Sequence, residues 1–440
     1  MERTLLLFAL WLIFPSVSIA QEVYSLQKIL ETGLENNYDI RIVRNEQKIS
    51  ENNATLANAG FLPKVDLSAG YSGTVNDIDQ KYADDSEVNN SGIHNHGANL
   101  GLNLNWTLFD GLSMQTNYER LKEFRRMGEL NTQLAVEDLI AGLTAEYYNY
   151  VRQNIQLGNL NYAVKLSKER LRIVEAHYTI GSKSGLELQQ ARVDFNADSS
   201  KLITQREAVY ASRISLNRLM ALDDVSRELA AADTSISPDP FLNKEKLWEL
   251  TLENNTNLLL SDRSKTVSEL DYKSVRSRDF PYLKVNAGYG YALNNYGSPT
   301  ANMIRQNTLG FNYGVTLGFT VFDGNRKRER KNARLTIQNK ELQHEYLELS
   351  LKADLANIWM AYQNNLGLLN LEKENLAVAH DNYSIAMERY RLGDLPGIDL
   401  REAQNSLLEA EERILQAAYN TKLCEISLLQ LSGQLQVYLQ

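Results

Sequence analysis

The chain has 440 residues, 43% hydrophobic and 23% charged, with a formal net charge of −9. That balance is ordinary for folded protein and too polar for a bundle of membrane helices, and the negative charge argues against a nucleic-acid partner. The lone cysteine, Cys424, excludes intrachain disulfides and zinc sites built on cysteine clusters.

Leu5 to Phe14 is an unbroken apolar run, too short to span a bilayer as a helix. It comes after Arg3 and leads through Pro15 to Ser18, Ile19 and Ala20, so residues 1–20 read as a signal peptide cleaved after Ala20. Gln21 stands where a lipid anchor would need a cysteine. No later stretch is long and apolar enough for a membrane helix. An exported chain of this kind is a periplasmic protein, a secreted protein or an outer-membrane β-barrel.

Next, Leu26 to Ala57 carries apolar residues at helical spacing and predicts one helix, ending before Gly60 and Pro63. Strand patterns come after it. Val65, Leu67, Ala69 and Tyr71 alternate with Asp66, Ser68, Gly70 and Ser72; after a polar loop, Leu100, Leu102, Leu104, Trp106 and Leu108 alternate with Gly101, Asn103, Asn105 and Thr107. Phe109, Asp110 and Gly111 end the second pattern, and Asp110 can cap a helix starting there. A proline-free helix is then predicted from about Leu112 to Tyr178, roughly 100 Å long at 1.5 Å per residue. After Gly185 a return helix keeps a heptad through Leu188, Ala191, Phe195, Asp198, Leu202, Gln205, Val209, Ser212, Leu216 and Leu219.

The same order then recurs. Asn36 and Asn37 return as Asn254 and Asn255, and Phe61 to Tyr71 returns around Phe280 to Tyr289. Leu283, Val285, Ala287, Tyr289 and Tyr291 form one strand pattern, and Leu309, Phe311, Tyr313, Val315, Leu317, Phe319 and Val321 another, opposite Gly310, Asn312, Gly314, Thr316, Gly318 and Thr320. Phe322, Asp323 and Gly324 repeat the junction. Leu342, Tyr346, Leu349, Ala353, Ala356 and Met360 make an outgoing seam. The return seam runs Leu400, Ala403, Leu407, Ala410, Ile414, Ala417, Thr421, Cys424, Leu428 and Leu431, which makes Cys424 a buried inert thiol. The chain is therefore an internal duplication. The first repeat spans 21–230 and the second 246–440, with a linker at 231–245 rich in Asp, Ser and Pro.

One face of each strand suits lipid and the other suits water, the signature of outer-membrane strands. Four strands cannot close a barrel, and open edges are not tolerated in lipid. Several chains must share one barrel; the residues by themselves allow two, three or four.

Export signal, duplication, paired hairpins and long coiled helices together resemble the TolC outer-membrane efflux family, over almost the whole mature chain. The most specific motif is Tyr178, Gly181, Glu187 and Leu188, repeated as Tyr390, Gly393, Asp399 and Leu400. The resemblance implies a homotrimer. Its twelve-stranded barrel, four strands per chain, continues into a long periplasmic α-helical coiled-coil barrel, giving a mixed α/β membrane protein. It also implies that the turns at Tyr178, Gly181, Gly185, Gly393, Pro396 and Gly397 form the periplasmic tip. There a periplasmic adaptor (membrane fusion) protein and an inner-membrane transporter would dock. Tyr390 matches a family tyrosine that links helices at a closed gate, with Glu187, Asp399 and Glu402 beside it. Asp399 and Glu402 stand three apart and share a helix face, and threefold symmetry would make them carboxylate rings that attract cations. As helix-start acids they also suit the macrodipole. The chain departs from the family in two places. Many relatives have proline before Phe-Asp-Gly, where Thr107-Leu108 and Thr320-Val321 stand here. Leu395 replaces a frequent arginine, so any gate lock using that arginine differs.

Arg326 to Lys331 is a basic cluster after the last strand, a solvated helix start near the membrane interface or a contact with anionic lipid, and outer-membrane lipid is an expected partner. His94 and His96 lack a third ligand, which argues against a metal site. No catalytic triad or phosphate-cradling glycine loop is present, so no enzyme activity and no cofactor are expected. The expected function is a passive outer-membrane exit duct of a tripartite pump for small molecules. A type I protein secretion duct, a periplasmic coiled-coil structural protein and a cryptic exported enzyme are alternatives, in that order.

Overall fold

The computed structural model describes residues 23–300 and 303–439, so the expected signal peptide at 1–20 lies outside the described residues. In chain order the elements are β1 (Val23–Tyr24), α1 (Leu26–Asn36), α2 (Tyr38–Asn53), α3 (Leu56–Ala59), β2 (Lys64–Lys81), β3 (Glu87–Phe109), α4 (Ser113–Thr179), α5 (Gly185–Leu219) and β4 (Ala230–Ala231). The series continues with α6 (Lys244–Asn254), α7 (Thr256–Ser277), β5 (Tyr282–Thr300), β6 (Met303–Gly318), α8 (Arg326–Arg391) and α9 (Gly397–Leu431), closing on a 3₁₀ turn at Leu435–Leu439. Two compact units form. Of the described residues, one comprises 23–42, 133–256 and 348–439, the other 43–132 and 257–347.

The second unit holds a four-stranded antiparallel sheet in the order β2-β3-β5-β6. Register obeys the alternation in the sequence. Leu67, Leu102, Tyr289 and Phe311 form one cross-strand row, and Val65, Leu104, Ala287 and Tyr313 the next. Between them runs Asp66, Asn103, Gly288 and Asn312. Because side chains alternate at period two, all apolar rows share one face and all small or polar rows the other. The described residues leave the apolar face uncovered: Leu67, Phe311 and Leu317 are 70%, 65% and 75% exposed. On the polar face the Asn103 side chain donates to Ser68 Oγ at 3.0 Å. The strands run 18, 23, 19 and 16 residues, longer than the alternating cores suggest. The last one stops at Gly318, so Phe319 and Val321 lie beyond it, contrary to expectation.

The first unit is helical. Its largest cluster gathers Ile29 and Leu30 of α1, Ile140, Leu143 and Tyr147 of α4, Leu216 of α5 and Ile426 of α9. The helix expected from Leu26 to Ala57 is three helices. Asn37 breaks it first: its backbone turns to ψ 131, its Oδ1 accepts from Asp39 N (2.9 Å) and Ile40 N (3.3 Å), and its Nδ2 donates to Leu219 O at 2.9 Å. Asn255 repeats the device on Leu431 O at 3.0 Å, so the duplicated asparagine ties each opening helix to the end of its return helix.

The return seams are buried at Leu188, Ala191, Leu202 and Leu216 in α5, and at Leu400, Ala403, Leu407, Ala410, Ala417 and Leu428 in α9. The outgoing seam is not. Leu342, Tyr346, Leu349 and Met360 are exposed, while Leu351, Leu355, Tyr362 and Leu369 are buried. The stripe of α8 that packs within the chain is thus rotated from the heptad, and the heptad face stays uncovered. The segment after β4 is fastened to the helices by hydrogen bonds. Tyr147 Oη accepts from Asp233 N at 3.2 Å, and Asp239 N donates to Glu425 Oε2 at 2.8 Å. Glu425 is itself buried, holding Lys422 Nζ at 2.7 Å and the Tyr438 hydroxyl at 2.8 Å. Cys424 is half-buried, and burial raises its thiol pKa, which keeps it protonated and unreactive.

Candidate functional site at the hairpin tips

Helices α4 and α5, and again α8 and α9, are joined by tight turns of the same construction. In the first, Gly181 has φ +76. Its N–H donates to Tyr178 O at 3.0 Å and that of Ser182 to His177 O at 2.9 Å. In the second, Gly393 has φ +80, its N–H donates to Tyr390 O at 3.0 Å, and that of Asp394 to Arg389 O at 2.9 Å. Both are Schellman closures, which satisfy the last carbonyls of a helix and need a left-handed residue. A Cβ on Gly185 or on Gly397 would sit 3.7 Å from Cε2 of Tyr178 or Tyr390 respectively, so each tyrosine ring lies over the first residue of the return helix.

The two return helices start differently. Ser184 caps α5: its Oγ accepts from Glu187 N at 3.2 Å, and Glu187 Oε2 accepts from Ser184 N at 2.9 Å, a reciprocal box. Lys183 Nζ adds an ion pair to Glu187 Oε1 at 2.8 Å, and these contacts, the lysine first, hold the carboxyl below its ordinary range. Pro396 precedes α9 and offers no side-chain cap. Glu187, Lys183, Tyr390, Pro396 and Gly397 line one cavity of about 300 Å³ between the two turns. Burial raises the Tyr390 phenol pKa there. Asp399 and Glu402 are not among its lining. Both are exposed, while Leu400 and Ala403 beside them are buried.

The sequence model of the outer membrane efflux protein family matches residues 29–222 and 247–434. The chain belongs to that family. This efflux protein is 21% identical over 437 residues to "Outer membrane protein TolC" of Vibrio cholerae serotype O1, a match covering 96% of this chain and 93% of that one. Its fold is similar to that of CusC, at TM-score 0.74 and 15% identity, covering 94% of this chain and 92% of the other. It is also similar to the CmeC outer membrane channel of Campylobacter jejuni, at TM-score 0.74 and 17% identity over 93% and 85% of the two chains. The family is one of outer-membrane channels rather than enzymes, and this member is an outer-membrane efflux duct with a periplasmic helical extension.

The strand–helix junctions of the efflux protein are not equivalent. At the first, Asp110 Oδ1 accepts from Met114 N at 3.0 Å, inside the first turn of α4. Gly111 has φ +76, and a Cβ on it would fall 2.1 Å from Ser277 O. Phe109 is half-buried. At the second, Asp323 Oδ1 reaches only Asn325 N, at 2.9 Å, ahead of α8. Phe322 is 86% exposed, and the nearest atom to a Cβ on Gly324 is 3.8 Å away.

Sequence reasoning missed a buried ion network above the tips. Arg401, between Asp399 and Glu402, turns the other way and grips Asp198 of α5 with both guanidinium nitrogens at 2.7 Å. Asp198 is 1% exposed. Arg170 pairs with Asp194, which also accepts from Gln190 Nε2 at 3.1 Å. The available signal was an aspartate at a heptad position of α5, where a coiled coil wants an apolar residue.

Proposed function

We propose that this duct is a homotrimer closing a twelve-stranded barrel, and that it conducts small molecules passively from a periplasmic adaptor protein and an inner-membrane transporter. The observation that carries the reading is the open sheet. Among the described residues its edges, β2 and β6, have no further partner strand, and unpaired edges cannot stand in lipid. Four antiparallel strands leave β2 and β6 pointing in opposite directions, so β6 of one copy can accept β2 of the next and keep the ladder antiparallel. The uncovered apolar face of α8, with Leu349, Met360, Leu371 and Val378 exposed, supports association of the helices as well. The number three is the family's. In this reading the apolar strand face meets lipid, the Gly181 and Gly393 turns carry docking, and Tyr390, Glu187, Asp399 and Glu402 belong to the gate. The two repeats, 21–230 and 246–440, supply one hairpin and one helix pair each. Native mass measurement of the detergent-extracted protein should return three chains. A stable monomer in the membrane fraction would sink the barrel.

A further inference from the structure

The basic cluster after β6 is divided by the helix it begins. On one side of α8, Arg326 and Arg330 reach Asp279 at 3.5 and 3.1 Å, and Glu329 accepts from Arg278 at 2.8 Å. These contacts fasten the start of α8 to the end of α7. On the other side Lys327, Arg328 and Lys331 are exposed and, among the described residues, make no ion pair. At 100° per residue the three fall within a single arc of the helix, and Leu335, also exposed, falls in the same arc.

Immediately before this arc comes an apolar stretch that the described residues leave largely uncovered. Phe319, Val321 and Phe322 are 56%, 88% and 86% exposed. They continue from β6, whose outward row of Phe311, Tyr313, Val315 and Leu317 is equally bare. The first junction offers no counterpart: Met114 is buried, Trp106 Nε1 donates to Phe61 O at 2.8 Å, and no run of lysine and arginine begins α4. Trp106 and Leu108 of the first junction are exposed as well, but less so, at 38% and 42%, and only the second junction joins its apolar stretch to an unneutralised cationic arc.

We propose that the junction between β6 and α8 binds the headgroup of an anionic phospholipid, with Lys327, Arg328 and Lys331 on its phosphate and Phe319, Val321 and Phe322 in the acyl boundary. Charge complementarity selects an anionic partner, since basic residues at a membrane surface attract acidic lipid. Continuity with the lipid-facing strand selects a membrane over a soluble anion. The helices leave the sheet at this end, which puts the site at the periplasmic leaflet. The inference rests on the outer-membrane reading, and the test separates the two. Wild-type trimer would be delipidated, exposed to phosphatidylglycerol or phosphatidylcholine, and examined by native mass spectrometry. It should retain phosphatidylglycerol preferentially. K327Q, R328Q and K331Q should each lower that occupancy about fivefold, leaving phosphatidylcholine and the trimer mass unchanged. Equal retention of both lipids, or full retention by the triple variant, would overturn the site. So would dissociation of the triple variant with lipid retention intact, because the arc would then face a neighbouring copy. Absence of the wild type from the membrane fraction would instead strike the outer-membrane reading itself.

Discussion

A few side chains hold this chain's architecture by satisfying groups that helix ends leave open. Asn37 and Asn255 do so at the two opening helices, and Asp198, inside α5, is a buried charge that depends on the Arg401 side chain. Replacing Asp198 by alanine strands Arg401 at the α5–α9 contact, and breaking a buried pair from one side costs about 3–5 kcal/mol. A thermal scan of Asp198→Ala should show marked destabilisation, and adding Arg401→Met should recover part of it. Failure of the second change to help would mean the pair is not the source. Glu187 makes a pH prediction. Its carboxyl titrates below its ordinary value of 4.5 in the folded protein, mainly through Lys183 and then the Ser184 N–H. A group depressed by folding adds stability above its unfolded value and loses it as pH falls through the folded one. Amides at the start of α5 should therefore lose hydrogen-exchange protection only below about pH 4.5. In Glu187→Gln that pH step should vanish.

At the level of elements, the two halves share a plan and differ at their joints. Gly111 combines a left-handed backbone with a neighbour that leaves no room for a Cβ, whereas Gly324 has space. Gly111→Ala should sharply reduce the yield of folded channel in the outer membrane. Gly324→Ala should fall within about 0.5 kcal/mol of wild type, as surface changes usually do. Equal effects would show that the junctions work alike despite their geometry. The tips are more symmetric. Both close with a left-handed glycine, and in both a tyrosine lies over the next helix, yet only α5 carries a capping box. The second turn relies on Pro396 to stop α8 from continuing, which leaves Asp399 free of a capping role.

For the whole molecule, that freedom bears on conduction. If Asp399 and Glu402 ring a narrow tip, their charges add in a low-dielectric constriction and favour cations. In planar bilayers, Asp399→Ala with Glu402→Ala should weaken cation preference and block by multivalent cations from the periplasmic side. Folding should survive, since both side chains are exposed and Arg401 keeps its grip on Asp198. Unchanged selectivity would make these acids simple helix-start residues and move the gate elsewhere. Leu395 stands in place of the family's frequent arginine, so any charged lock at a gate here would have to use other groups. Arg389 pairs with Asp394 at 3.0 Å in the same turn, Lys183 pairs with Glu187 at 2.8 Å in the other, and the Arg170, Asp194, Arg401 and Asp198 network is the buried set in the first unit.

The four strands, though not their full lengths, the alternation of their faces and the two glycine turns were legible in the sequence. Each of these is written in local periodicity or in a glycine whose backbone angle only glycine adopts cheaply. Cross-strand register came from the same alternation, since a slip of one residue would turn Leu102 and Phe311 onto the polar face. Choices between surfaces of equal appeal stayed open. The heptad in α8 marks an apolar stripe without saying whether the partner is α9 or another chain, and the structure instead packs Leu355 and Tyr362 against Leu428 of α9 and Leu247 of α6. Asn37 reads as one more polar residue in a helix until Leu219 O arrives from far along the chain to take its amide. Asp198 reads as a flaw in a seam until Arg401 crosses to it. Such matters are settled in the folded chain alone, because the energy of a buried polar group lies in its partner and not in its neighbours along the sequence.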